Sequence, residues 1–314
     1  FTLDTVMPIN NATLNKSPTN ITINDVINLT VNATDNDGLS FGQIITNISG
    51  QKRIFNFTLD DASTAEFSQN ITINVTRGEV INFTSRVNDS ANNIQINDTI
   101  ITVANTPPAA LSITNPASNG YINQQPLGLN ITFQEDPDGD QTTINYYIDG
   151  TLNDSTTTNT TFNASDGTFS LNISITDSVN HHENITVNFT LDTIQPSANT
   201  SLNKSLTNIT VNDIINFTVN ITDETNLDTA QIIVNISGQE RIFNFTISDL
   251  TQSIITQNIT INVTRGEVIN FTARVNDSAG NFKTNDTIIT VANTPPSGFS
   301  VSLPNENEYL NSIP

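Results

Sequence analysis

The sequence predicts an all-β chain of tandem β-sandwich domains. Three observations carry this. Apolar and polar residues alternate strictly over short stretches, Asn/Asp/Gly clusters separate those stretches, and long segments recur at a fixed offset of 188 residues.

The alternation comes first. Asn70-Ile71-Thr72-Ile73-Asn74-Val75-Thr76, Asn28-Leu29-Thr30-Val31-Asn32-Ala33-Thr34 and Leu171-Asn172-Ile173-Ser174-Ile175-Thr176 all have period two. That period marks a strand with one buried face. The turn clusters supply chain reversals about every 8–15 residues, the spacing of a sandwich. No stretch shows the period of an amphipathic helix. The expected inward set of the first domain is Ile21, Ile23, Leu29, Val31, Ile54, Phe57, Ile71, Ile73, Val75, Phe83, Val87, Ile100 and Val103.

The repeat sets the domain plan. Phe1-Thr2-Leu3-Asp4-Thr5 recurs at Phe189 to Thr193, Thr76-Arg77-Gly78-Glu79-Val80 at Thr264 to Val268, and Val103 to Pro108 at Val291 to Pro296. Roughly two thirds of the first 108 positions are identical in the second copy. An offset of 188 fits two small domains. Residues 1–7 read as the last strand of a preceding module B, 8–106 as module A, 107–192 as module B, 193–294 as a second A, and 295–314 as the first strand of a second B. The chain therefore reads as a piece of a longer one. Short proline-stiffened linkers join the modules and predict a rod.

Composition narrows the function. The 314 residues include 31 Asp plus Glu, only ten Lys plus Arg and no Cys, for a net charge of −21. Such a surface repels nucleic acid and anionic lipid and attracts cations, with Ca²⁺ the natural candidate outside a cell. No apolar run approaches the ~20 residues of a membrane-spanning helix, and no signal peptide is visible.

The sequon Asn-x-Ser/Thr occurs 31 times. Random pairing of this composition gives roughly eleven. Module A carries it at Asn11, Asn15, Asn20, Asn28, Asn32, Asn47, Asn56, Asn70, Asn74, Asn82, Asn88 and Asn97. Module B carries it at Asn130, Asn153, Asn159, Asn163, Asn172, Asn184 and Asn188. The second A repeats all twelve, at Asn199, Asn203, Asn208, Asn216, Asn220, Asn235, Asn244, Asn258, Asn262, Asn270, Asn276 and Asn285. The middle residue drifts (Ala12 to Thr200, Leu29 to Phe217, Ala33 to Ile221), whereas the Asn and hydroxyl positions change only from Thr13 to Ser201. On a strand, Asn and Thr two apart share the outer face and the apolar residue between them faces the core. Asn is otherwise disfavoured in strands. The pattern predicts covalent N-glycans on outward strand faces.

Phe133-Gln134-Glu135-Asp136-Pro137-Asp138-Gly139-Asp140, followed by Tyr146-Tyr147-Ile148-Asp149-Gly150, resembles fibronectin type III-like modules of large bacterial and archaeal surface proteins. Ile175 to Asn180, then Phe189 to Thr193 and Pro196, is similar to the closing hairpin of prokaryotic immunoglobulin-like repeats. Val87 to Asn93 and Val275 to Asn281 repeat that pattern. The resemblance implies immunoglobulin-like sandwiches in a cell-surface or filament protein. The core Trp usual in the module B type is absent, and Phe133 stands at its place.

Asp136, Asp138 and Asp140 alternate around Gly139 and could supply oxygens to Ca²⁺; a solvated Asp/Gly turn explains them equally simply. Asp35-Asn36-Asp37-Gly38 looks similar, but its second copy, Asp223-Glu224-Thr225-Asn226, loses Asp37 and Gly38. Asp4 and Asp192 sit where B gives way to A, as turn caps or around an ion. Asp89, Asp177 and Asp277 read as hairpin caps. Arg77 and Glu79 read as a surface pair, and His181-His182 as loop residues. No nucleophile stands with a base. The expected function is non-enzymatic: a structural, N-glycosylated extracellular rod in a filament, stalk or layer, self-associating or joined to neighbouring copies. The alternative is an adhesin stalk presenting a binding tip.

Overall fold

The computed structural model describes residues 3–179, 182–298 and 300. His181 and the stretch 301–314, with most of the expected opening strand of a second B, lie outside the described residues. The chain forms two compact units: residues 1–118, 128–162 and 170–188, and residues 119–127, 163–169 and 189–314.

In the first unit, β1 (Ile9–Leu14), β2 (Val26–Ile48), β3 (Gln51–Thr72), β4 (Val80–Asp89) and β5 (Ile94–Thr102) form one antiparallel sheet, β1-β2-β4-β5, with β3 also on β2. β2 and β3 run for 23 and 22 residues, longer than the turn spacing suggests. Their registers explain why. The first half of β2 pairs with β1 (Leu14↔Leu29) and the last half of β3 (Asn28↔Asn70). Its second half pairs with the first half of β3 (Ile45↔Ile54) and with β4 (Asn47↔Asn82). Register slips between Thr34 and Leu39, and between Leu39 and Phe41, mark the bend. Gly38 takes φ 111° there, and a Cβ on it would lie 2.8 Å from the Asp61 carbonyl oxygen. Bulges of this kind bend a strand, so one hairpin serves both layers of an immunoglobulin-like sandwich.

The core follows strand parity. Leu29, Val31, Ile44, Ile71, Ile81, Phe83, Val87, Ile101 and Val103 are buried. Ile73 and Val75 are buried too, although β3 ends at Thr72. Ile73 still exchanges backbone bonds with Asn24 and Asp25, at 2.8 and 2.9 Å. Two expected core residues face out: Ile54 is 47% exposed and Ile100 is 66% exposed. Ile101 pairs with Ile81 and shares parity with Val103, which turns Ile100 to solvent. Phe55, Phe57 and Leu59 hold the inward parity of β3, which does the same to Ile54. Ile23 is half-buried, and Phe57 packs half-buried against the core.

The first unit also holds β6 (Ala109–Asn115), β8 (Leu127–Gln134) and β11 (Thr160–Phe162) in one sheet. A second sheet runs β10 (Thr151–Thr156), β9 (Thr143–Ile148), β12 (Gly167–Thr176) and β13 (His182–Leu191). On β9 Tyr146 is fully buried, whereas Phe133 is half-buried near the end of β8. The Tyr146 hydroxyl donates to the Thr158 carbonyl at 3.3 Å. Burial, then the charge of Asp154, pushes its pKa up to about 12.

In the second unit the end of β13 pairs in parallel with β7 (Gly120–Ile122). β14 (Ser197–Leu202), β15 (Ile214–Ile236), β16 (Gln239–Thr260), β17 (Val268–Asp277) and β18 (Phe282–Thr290) repeat the topology of β1 to β5. Phe217, Ile221, Ile232, Phe271 and Val275 fill that core, with Phe217 and Phe271 stacked at 5.2 Å.

The register is testable with adjacent residues. Ile101→Ala should destabilise the first module by about 2–5 kcal/mol, and Ile100→Ala by under ~0.5 kcal/mol. Urea unfolding followed by a probe in that module reads both; equal losses would mean the register of β5 is wrong.

Candidate functional sites: outward asparagines and buried carboxylates

None of the 31 sequon asparagines is buried; 21 are exposed and ten are half-buried. Asn10, which lies in no sequon, is the contrast. It is 6% exposed, donates from Nδ2 to the Ser85 carbonyl at 3.0 Å and accepts from the Ser85 hydroxyl at 2.9 Å. Strand parity places most sequons. Asn11, Asn28, Asn32, Asn47, Asn56, Asn70, Asn82, Asn88 and Asn97 all lie on β1 to β5. Asn15, Asn20 and Asn74 lie between strands. Many of these side chains already bond their neighbours. Nδ2 of Asn97 and of its repeat Asn285 donates to a backbone carbonyl, Asn10 at 3.2 Å and Ala198 at 2.7 Å. By contrast, Oδ1 of Asn15, Asn56 and Asn159 accepts bonds, from the Asn28 amide, Gln43 Nε2 and the Ile131 amide.

The three carboxylates of the Asp136 turn take local donors, while Oδ2 of Asp136 and Oδ2 of Asp140 are buried without a hydrogen-bond partner. Asp136 Oδ1 accepts from the Asp138 amide at 2.8 Å. Asp138 accepts from the Arg77 amide at 3.0 Å and the Thr106 amide at 2.6 Å. Arg77 pairs with Asp140 at 2.9 Å rather than with Glu79. Burial, then the charges of Asp140 and Asp138, holds the Asp136 carboxyl above its ordinary range, against the bond from the Asp138 amide. The turn thus receives a guanidinium and three backbone amides.

Three carboxylate groups elsewhere bring oxygens within 4.8 Å of one another among the described residues. One joins Asp4, Asp35 and Asp89, and another joins Asp192, Asp223 and Asp277. These are the same positions 188 apart. A third, Asp166, Asp192 and Glu224, shares Asp192. Asp192, Asp223 and Asp277 are 0%, 7% and 1% exposed. Each is fixed by local bonds. Asp192 Oδ1 accepts from the Ile194 amide at 3.2 Å, and Oδ2 from the Thr225 hydroxyl. Asp223 Oδ1 accepts from the Thr225 amide at 3.0 Å. Asp277 Oδ1 accepts from the Asn281 amide at 2.8 Å, the expected hairpin cap. Oδ2 of Asp223 and Oδ2 of Asp277 are buried without a hydrogen-bond partner. None of the ion pairs among the described residues reaches this group. Burial, then the charges of Asp192 and Asp223, raises the Asp277 carboxyl, while the Asn281 bonds oppose the rise. Glu224 is raised first by burial, then by Asp223, Asp192 and Asp166.

Part of this group is legible in the sequence: Asp4 and Asp192 mark the module boundary, and Asp89 and Asp277 read as caps. Their convergence with Asp35 and Asp223 is not local, since the Asp37-Gly38 spacing is not shared by the second copy; the signal for it is the retention of all three Asp at the repeat offset.

No known family model matches the chain, and no curated protein matches it. Among solved structures it is similar to the fibronectin(III)-like modules of Clostridium thermocellum CbhA, at 14% identity over 58% of this chain and 94% of that one, TM-score 0.36. It is similar to a structure from a 1.5-MDa bacterial ice-binding adhesin, at 14% identity over 92% and 99%, TM-score 0.33. The FN1–FN3 domains of chicken CNTN1 match at 10% identity over 89% and 97%, TM-score 0.32. The fold class rests on the strand registers above.

Buried like charges predict a sign change. With a chelator present, Asp277→Asn should raise the melting temperature of the second A module by a few degrees, the shift expected of about 1 kcal/mol in a domain of this size. It keeps the cap acceptor and removes one charge. With millimolar Ca²⁺ the same variant should melt below the parent. Scanning calorimetry in both buffers reads this, and a loss of equal size in both would show a purely structural carboxylate.

Proposed function

We propose that this chain is a structural, heavily N-glycosylated extracellular rod, part of a surface filament, stalk or layer, stiffened by Ca²⁺ at its clustered carboxylates. The observation that carries the reading is the placement of all 31 sequon asparagines outside the core, many of them beside an apolar residue that helps build it. Alternation by itself would put Asn outward. It would not require a hydroxyl two residues on, and that hydroxyl is kept across the repeat while the residue between drifts. Sugar on these faces holds water and shields the backbone from proteases. Self-association with neighbouring copies completes the structural role, and no catalytic arrangement is part of it.

Calcium fits the donor set. Its Ca–O bonds run about 2.3–2.6 Å, so carboxylate oxygens no more than 4.8 Å apart can surround one ion. The unpartnered oxygens of Asp223 and Asp277 are the strongest support, since a buried charged oxygen without a partner is costly. Asp192, Asp223 and Asp277 would hold the ion, with Glu224 and Asp166 beside Asp192. Asp4, Asp35 and Asp89 would hold its repeat.

Two measurements test the reading. Site-resolved glycopeptide mass spectrometry on chain purified from the cells that make it should find sugar at most sequons. A nearly bare chain would leave the sheet faces free and favour the adhesin stalk. Calcium at about a hundredfold over its Kd should stabilise the chain by ~2.7 kcal/mol, and Asp192→Asn should remove that gain. Unchanged melting with Ca²⁺ would overturn the ion.

A further inference from the structure

The strand registers oppose sequon to sequon. Asn11 lies directly across from Asn32, Asn28 from Asn70, and Asn47 from Asn82. The repeat opposes Asn199 to Asn220, Asn216 to Asn258, and Asn235 to Asn270. Directly opposed residues on antiparallel strands point to the same face, with Cβ atoms about 4.5–5.5 Å apart. Sequence spacing does not reveal these pairs, because their members lie 21 to 42 residues apart.

Two of the pairs are already in contact. Asn28 Nδ2 donates to Asn70 Oδ1 at 2.8 Å, and Asn216 Nδ2 donates to Asn258 Oδ1 at 2.9 Å. The donor's own Oδ1 accepts from its sequon hydroxyl, Thr30 at 2.7 Å and Thr218 at 2.8 Å. Asn28 and Asn216 are half-buried, whereas Asn70 and Asn258 are exposed. The other unequal pairs have the same asymmetry. Asn47 and Asn235 are exposed, and Asn82 and Asn270 are half-buried. Oδ1 of Asn82 and of Asn270 is fully covered, and Asn270 Nδ2 donates to Thr272 at 3.4 Å.

We infer that each opposed pair is glycosylated at one member only, and that in four pairs the sugar goes to Asn70, Asn258, Asn47 and Asn235. The inference deepens the glycoprotein reading and rests on it. Glycosylation forms a bond from Asn Nδ2 to the anomeric carbon of a phosphate-activated sugar donor. The donor's bond from that carbon to its phosphate oxygen breaks, and one Nδ2 proton leaves, to end on the phosphate or solvent. The modified nitrogen keeps one hydrogen, and Oδ1 is untouched. Glycosylated Asn70 can therefore still accept the bond from Asn28. Glycosylated Asn28 would have to turn its crowded nitrogen, and the bond that nitrogen donates, out of the sheet. Two pyranose rings with their substituents, rooted at neighbouring Cβ atoms, are broader than the gap between strands and would have to splay apart. The limit holds whether sugar arrives before or after folding, because only singly modified pairs fit the folded sheet. At most one of Asn11 and Asn32, and one of Asn199 and Asn220, is modified as well, with no preference between two exposed members.

Quantitative glycopeptide mass spectrometry of the full chain from its native source tests this, with fractional occupancy measured at all twelve asparagines. The two occupancies of each pair should sum to no more than one. Asn70, Asn258, Asn47 and Asn235 should each exceed their partners severalfold. In Asn70→Gln, occupancy at Asn28 should rise severalfold from its parent value, while the unopposed Asn56 stays constant. A pair sum well above one, or Asn28 and Asn216 as the dominant members, overturns the inference and leaves the glycoprotein reading intact. Sugar absent from every sequon overturns both.

Discussion

Along β17, Ile269, Phe271, Ala273 and Val275 enter the core while Asn270, Thr272, Arg274 and Asn276 face outward. The same division runs along β4 and the halves of β2. With 35% hydrophobic residues, the chain has few apolar side chains to spare; period-two alternation builds the core from them, while others such as Ile100, Ile254 and Ile288 stay exposed. The outer face then carries Asn and Thr at every second position, the two ends of a sequon. Core formation and the display of sequons are thus one constraint. A one-residue slip in register would lose both together.

The electrostatics follow from having so few cations. Of ten Lys plus Arg, Arg77 is spent on Asp140, and Lys16 and Lys204 on Asp25 and Asp213, at 2.6 and 2.5 Å. The Lys204 bond comes first among the causes that lower the Asp213 carboxyl, followed by the Thr210 amide. Among the described residues no Lys or Arg pairs with Asp192, Asp223 or Asp277. The Asp138 turn has an internal guanidinium and amide donors, whereas the Asp192 group has converging oxygens and no ion pair among the described residues; both leave buried Oδ2 atoms without a partner.

Alternation, the repeat and the sequons were legible in the sequence because each is a local or periodic property. What escaped it was long-range. The double isoleucine Ile100-Ile101 offers both parities, and only pairing with Ile81 decides between them. Two short alternations merge into one long strand at Gly38 because the bulge is invisible as a pattern. The carboxylate group draws on residues 31 and 85 positions beyond Asp192. The repeat shows how tightly such long-range contacts couple: buried Asn10 and Ser85, bonded to each other in the first copy, are replaced together by Ala198 and Ala273. Losing Ser85 alone would leave the buried Oδ1 of Asn10 without its donor.

The native chain contains no cysteine, so a single introduced thiol reports its own surroundings. The most direct test of the account is a cysteine scan of positions 269–276 on β17, in bare recombinant chain, with the rate of maleimide labelling measured at each. Labelling should be fast at 270, 272, 274 and 276 and slowed at least tenfold at 269, 271, 273 and 275, a two-residue oscillation along the strand. Uniform rates, or an oscillation of the opposite phase, would contradict the division of faces on which both the core and the outward sequons depend.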